Sequence, residues 1–150
     1  MKKIISILTV ISLIGSVYYF YYLQSDKKLV NDFAYEVFEN SVKTEDVIIK
    51  YMKCNKIGKE MTLALLKYHR NEFKKNPGTI KVYSYKEATK LKNPTIIVSE
   101  NYNKVFLIYL NNKFQMPILL NEESKIISIS YGLSKGKRNY ALMRFDSGNE

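Results

Sequence analysis

The chain has 150 residues, 24 basic against 14 acidic side chains, a net charge of +10 and one cysteine. A lone Cys54 excludes an internal disulfide and any cysteine-based zinc site, and the length behind an apolar N-terminal stretch suits one further core rather than two. The charge surplus sits in residues 43–92, thirteen basic against five acidic, and Arg70 is the one arginine among the thirteen, which argues against sequence-specific nucleic-acid recognition.

Met1, Lys2 and Lys3 form a positive head, and no charged side chain follows from Ile4 to Leu23. Such a segment makes a helix of about 30 Å, enough to cross a bilayer. Residues 1–23 are therefore expected to act as a retained single-pass anchor. A cleaved signal sequence ending near Gly15-Ser16, with a secreted product, is the alternative. Tyr18 to Tyr22 favour retention, because five consecutive aromatic rings suit the headgroup level and would be a sticky end on a soluble protein. The basic head places the N-terminus in the cytoplasm and residues 24–150 outside. No cysteine ends the apolar stretch, so a bacterial lipoprotein anchor is excluded. The Lys-Lys head and the Lys/Asn/Ile-rich composition point to a bacterial cytoplasmic membrane.

Ser25-Asp26 is expected to cap a helix over 27–42 with Val30, Phe33, Ala34, Val37, Phe38 and Ser41 inward. Thr44, followed by Glu45 and Asp46, is a second start signal, with Val47, Ile48, Tyr51 and Met52 on the apolar side. Asn55 and Gly58 break the chain before a third helix over 59–75, ended by Asn76-Pro77-Gly78. Met61, Ala64, Leu65 and Tyr68 share its expected core face, widened by Leu66 and Phe73. Lys67, Arg70 and Lys74 fall on the other side as the candidate basic binding face.

From Thr79 the apolar period becomes 2. Strands are expected over 79–85, 95–99, 105–110, 114–120, 125–131 and 138–145, with a short helical or irregular connection over 86–92. Asn111-Asn112 is a tight hairpin turn, since asparagine tolerates positive φ. Phe114, Met116, Ile118 and Leu120 are expected on one face, as are Ala141, Met143 and Phe145. Pro117 lacks an N–H and suggests an edge or a bulge.

The expected class is α+β: an N-terminal hydrophobic helix, then about three helices packed on a curved antiparallel sheet of four to six strands, one domain over 24–150. This element order resembles, over residues 27–145, the NTF2-like (cystatin-like) superfamily, in which a long N-terminal helix packs in the concave side of a curved sheet. With a membrane anchor it is also similar in layout to inner-membrane components of type IV secretion systems, although Asn76-Pro77-Gly78 does not reproduce their NPxG loop.

No chemical motif stands out. His69 has Glu72 as its reachable carboxylate on the same helix, and Cys54 with His69 lacks an orienting third group. The carboxylates of the sheet half fall in turns or the tail, and glycine loops of nucleotide-binding type are absent. Gly132 to Arg138 is a basic loop able to touch phosphate. Tyr83, Tyr85, Tyr102, Tyr109, Tyr131 and Tyr140 suit either a binding face or ordinary strand packing. The sequence thus reads as a non-enzymatic binding domain with no cofactor or metal. Its expected partner is an acidic protein of the envelope, in a secretion assembly or an immunity-type pair, or anionic lipid. The rival is a small enzyme using an NTF2-like pocket.

Overall fold

The computed structural model describes residues 21, 24–38, 42–99, 101–133 and 140–146. The expected anchor over 4–23 therefore lies outside them except for Tyr21, as do Ser41 and most of the basic loop before Arg138. Among the described residues no helix is long and apolar enough to cross a membrane.

The class is α+β. Helix α1 spans 24–38, followed by α2 (Thr44–Tyr51), α3 (Lys56–Lys75) and the short α4 (Tyr85–Ala88). The strands are β1 (Ile80–Ser84), β2 (Ile97–Val98), β3 (Val105–Leu110), β4 (Lys113–Leu120), β5 (Ile126–Ser128), β6 (Ser130–Leu133) and β7 (Tyr140–Met143). They form an antiparallel sheet in the order β1-β3-β4-β5 and a second sheet in the order β2-β7-β6. The pair β2–β7 is parallel, a departure from the single antiparallel sheet expected.

The larger sheet is buried on both faces, which explains the unbroken apolar run of β3. Phe106 and Ile108 join a core with Val30, Phe33, Val37, Val47, Ile48 and Leu66 of α1, α2 and α3. Val105, Leu107 and Tyr109, alternate along the strand, face a second cluster with Ala88 of α4, Ile97 of β2 and Ile127 of β5.

Local chemistry explains the turns and corrects several boundaries. Asn111 and Asn112 have φ of 51° and 62°, as a two-residue hairpin with both central residues left-handed requires. The Asn111 side chain accepts from Thr79 N at 3.0 Å, and a Cβ on Gly78 would collide with that amide. Phe114 does not share a face with Met116: the ladder shifts between Ile108, paired with Met116, and Tyr109, paired with Phe114. The extra residue, Gln115, turns Phe114 to the second cluster. Pro117 lies in an interior strand, but β5 pairs with β4 only at Leu119 and Leu120, so that ladder does not reach the proline. The single strand expected over 125–131 is divided, β5 in one sheet and β6 in the other. Strand β7 stops at Met143, so Phe145 does not continue its alternation; it enters the helix-side core, with its N–H donating to Ile127 O at 2.8 Å.

The helix starts also differ in detail. Asp26 lies within α1 and caps nothing. Thr44 is the first residue of α2, and Lys43 stands at the cap without a side-chain bond. At α3 the cap is Asn55, whose Oδ1 accepts from Gly58 N at 2.7 Å, so Gly58 belongs to the first turn and breaks nothing. Its missing side chain is required there, because a Cβ would lie 2.6 Å from Phe145 O. Residues 86–92 begin in α4, where Ser84 and Glu87 form a reciprocal capping box.

Candidate functional site

The helical period places two residue sets on α3, and the structure keeps part of each: Leu66 is core with Leu65 and Phe73 packed against it, whereas Met61, Ala64, Tyr68 and Arg70 change sides. Gly58, Thr62, Leu66 and Arg70 are its buried residues, four apart and so on one side. The opposite stripe carries Ile57, Met61, Ala64 and Tyr68, and there Ile57 is 68% exposed, Met61 42% and Tyr68 60%. Of the expected core face Met61, Ala64, Leu65 and Tyr68, Leu65 alone packs against the core. The helix is apolar on two sides, and the inner side includes a threonine and an arginine, so a count of apolar residues selects the wrong azimuth.

Arg70 is only 7% exposed and does not belong to the basic face. Its Nε donates to Val37 O at 2.7 Å and its Nη2 to Glu36 O at 2.9 Å. Nη1 donates to Val42 O at 2.9 Å and to Thr44 Oγ1 at 3.0 Å. The guanidinium thereby donates to carbonyls of the last described turn of α1 and of Val42, and brings a positive charge to the C-terminal side of that helix. Lys67 and Lys74 are exposed as expected. Steps of eleven and seven residues return near one azimuth, so exposed Lys56 takes the place expected for Arg70 in the row Lys56, Lys67, Lys74. Lys67 meets Glu45 of α2 at 3.4 Å, an exposed pair of the kind that contributes about 0–1 kcal/mol. That contact sets α2 beside the lysine flank. Ile49, one turn beyond Glu45, is also exposed.

A buried polar cluster lies elsewhere. Asp26 and Lys104 are both buried and meet at 2.9 Å, while Ser124 Oγ donates to the other Asp26 oxygen at 2.5 Å. Serine, lysine and aspartate together suggest nucleophile chemistry, but the geometry opposes it. The Lys104 Nζ donates to a carboxylate, and the Ser124 hydroxyl donates to that same carboxylate rather than to a base. The cluster instead fastens the start of α1 to the sheet.

A cleft of about 830 Å³ is lined by residues including Ser99, Tyr102, Leu119, Glu122, Leu142 and Arg144. Its polar groups meet in exposed pairs: Asn101 donates to Glu122 at 3.1 Å, and Arg144 forks onto Asp146 at 3.0 and 2.8 Å. This differs from the buried, mutually bonded polar pair that acid–base catalysis uses. Cys54 Sγ lies 4.0 Å from Thr62 Oγ1, and burial pushes its thiol pKa up, away from thiolate reactivity. His69 packs edge-on to Tyr68, and burial holds its pKa below the usual imidazole value, with Glu72 opposing. The two side chains thus have different neighbours. Among the described residues no three His, Cys, Asp or Glu side chains converge as a metal site.

Among the described side chains the tyrosines of the sheet half make two groups, that of Tyr140 lying outside the described ones. Tyr83, Tyr109, Phe114 and Tyr131 touch ring to ring in sequence, and Tyr85 stacks on Tyr102. Tyr109 is buried and donates to Thr95 Oγ1 at 3.2 Å, so its ring is core. Comparison of the chain with family models, with curated proteins and with solved structures gave no match in any of the three.

Proposed function

We propose that the chain is a non-enzymatic binding domain, tethered to the outer side of a bacterial cytoplasmic membrane by residues 4–23, that displays the outer face of α3 to a partner in the envelope. The observation that carries this reading is the exposure of Ile57, Met61 and Tyr68 along one helix that also bears a row of lysines. Three large apolar side chains aligned in solvent have no role in the fold, whereas a contiguous apolar stripe with a polar rim is the usual form of an interaction surface. The polar groups of the cleft, paired and exposed, support the binding reading over the enzymatic one. The packing of α1 to α3 on one face of an antiparallel sheet supports the NTF2-like layout as part of the same proposal.

Site-specific photo-crosslinking in native membranes tests it. A photoreactive residue at Met61 or Tyr68 is expected to give a discrete protein adduct, and one at exposed Lys90, just after α4 on the opposite face of the larger sheet, is expected to give none. If neither α3 position yields an adduct above that background, the face is not a binding surface.

A further inference from the structure

We infer that the basic side of the domain around α4 docks on the anionic phospholipid headgroups of the membrane that holds the anchor. The inference rests on the anchored reading of residues 4–23 and adds a second contact between domain and membrane. Segment 79–99 carries Lys81, Lys86, Lys90 and Lys92 against one acid, Glu87, and all five side chains are exposed. Glu87 is already committed, since Lys27 of α1 meets it at 2.8 Å and Ser84 N donates to it at 2.8 Å. Among the described residues no carboxylate pairs with the four lysines of the segment, whereas Lys28, Lys50, Lys53, Lys67 and Lys75 each face one. Lys27, Lys81 and Lys90 line, with Val82, Tyr83 and Glu87, a hollow of about 320 Å³ beside β1, the edge strand of the larger sheet. Three ammonium groups against one carboxylate leave that hollow positive.

The position of Lys27 selects the partner. It is the fourth residue of α1, so about 4.5 Å of helix separates it from residue 24, the first after the proposed anchor. The headgroup layer is roughly 5–7 Å deep on each side of a bilayer. The Lys27–Glu87 contact therefore sets α4 within a side chain's reach of that layer. Tyr85 of α4 stacks on Tyr102, which is 50% exposed and stands two residues before Lys104, the partner of Asp26. A ring with a polar tip suits the same level. The acids at this end, Glu122 and Glu123, lie in the turn between β4 and β5. The order β1-β3-β4-β5 sets that turn and α4 toward opposite edges, and Glu123 meets Lys53 at 3.5 Å. The free positive charge is thus on the α4 side. Lysine is a point charge on a flexible stem, suited to a fluid layer of phosphates rather than to one fixed partner geometry, and the tether holds that layer at high effective concentration. Helix α3 packs on the opposite face of the larger sheet from α4 and is left for its own partner.

The test uses the full-length chain in nanodiscs that contain a lipid spin-labelled at its headgroup as quencher, in phosphatidylcholine with or without phosphatidylglycerol. The chain has no tryptophan, so Thr89→Trp, at an exposed position between Lys86 and Lys90, reports alone. Its fluorescence is expected to be quenched roughly threefold more strongly with phosphatidylglycerol than without, and rising ionic strength is expected to remove the difference. Adding Lys81→Gln, Lys86→Gln and Lys90→Gln is expected to remove it too. The change of equal charge Lys43→Gln, Lys59→Gln and Lys75→Gln, beside and along α2 and α3, is expected to keep it. Glu60→Trp, exposed on α3, is expected to show no dependence on phosphatidylglycerol. Equal loss in both triple variants means that net charge alone draws the domain down and overturns the inference, as does equal quenching in the two kinds of disc. Release of the tryptophan by inorganic phosphate, where chloride of the same ionic strength releases none, assigns the hollow to free phosphate. A polyglutamate peptide that shifts the emission where lipid gives no quenching assigns the patch to an acidic protein. Either result rejects the lipid contact. Incorporation into neutral discs tests the anchor separately: a chain that enters them without lipid-dependent quenching loses this inference alone, and one that stays in solution loses the tether as well.

Discussion

Arg70 shows how much one side chain is asked to do. A helix end leaves its last carbonyls without intrahelical partners, and Arg70 of α3 donates to carbonyls on both sides of the link from α1 to α2. One planar guanidinium bridges Glu36 O, Val37 O, Val42 O and Thr44 Oγ1. Arg70→Met removes every donor and leaves partly buried acceptors unpaired, at a cost of about 2–4 kcal/mol. The melting temperature of the full-length chain in detergent is expected to fall by roughly 5–15 °C. Arg70→Lys should recover only a part, because an ammonium is a point charge with three donors and cannot reproduce the fork. Circular dichroism melts of the two variants measure this, and an unchanged midpoint for Arg70→Met would mean that the staple is energetically idle.

At the scale of elements, α1 is fixed at both ends by polar contacts and along its length by apolar ones. Arg70 holds its last turn. Near its start, Asp26 meets Lys104, which follows Asn101–Asn103 and leads into β3, and Ser124 of the turn between β4 and β5. Lys27 adds a surface contact with Glu87 of α4 at 2.8 Å. A buried pair of charges adds little net stability, but breaking it leaves a charge without compensation. Lys104→Met is therefore expected to cost about 3–5 kcal/mol, and adding Asp26→Leu should restore a substantial part of that loss. Urea unfolding of the two singles and the double gives the coupling energy. If the double variant is simply the sum of the singles, the pair does not act as a unit.

At the scale of the whole molecule, the larger sheet serves two cores, helices on one face and the small sheet with α4 on the other. In the proposed anchored form, residues 4–23 immediately precede α1 in sequence, and the Asp26 cluster would be the part of the domain nearest the membrane in the chain. The expected behaviour is retention in the membrane fraction after carbonate washing and an intact mass that still includes residues 1–23. Loss of about sixteen residues from the mass would show a cleaved signal and a secreted product.

The periodicities of the sequence determined the class, the order of helices before strands, the Asn111-Asn112 hairpin and the buried sides of α1 and α2, because each of these follows from contacts between near neighbours along the chain. The lysines at 67 and 74 were legible for the same reason: a charge with no buried partner stays in water. Three decisions needed the tertiary structure. The Gln115 bulge moved Phe114 to the other face, the chain between β5 and β6 passed from one sheet to the other, and the azimuth of α3 turned Arg70 inward and Met61 and Tyr68 outward. On α3 both sides are apolar enough to be buried, and the side that turned inward is the one that brings Arg70 to the carbonyls of Glu36, Val37 and Val42. The apolar side left over in solvent is the candidate interaction surface, and periodicity counts that same side as core.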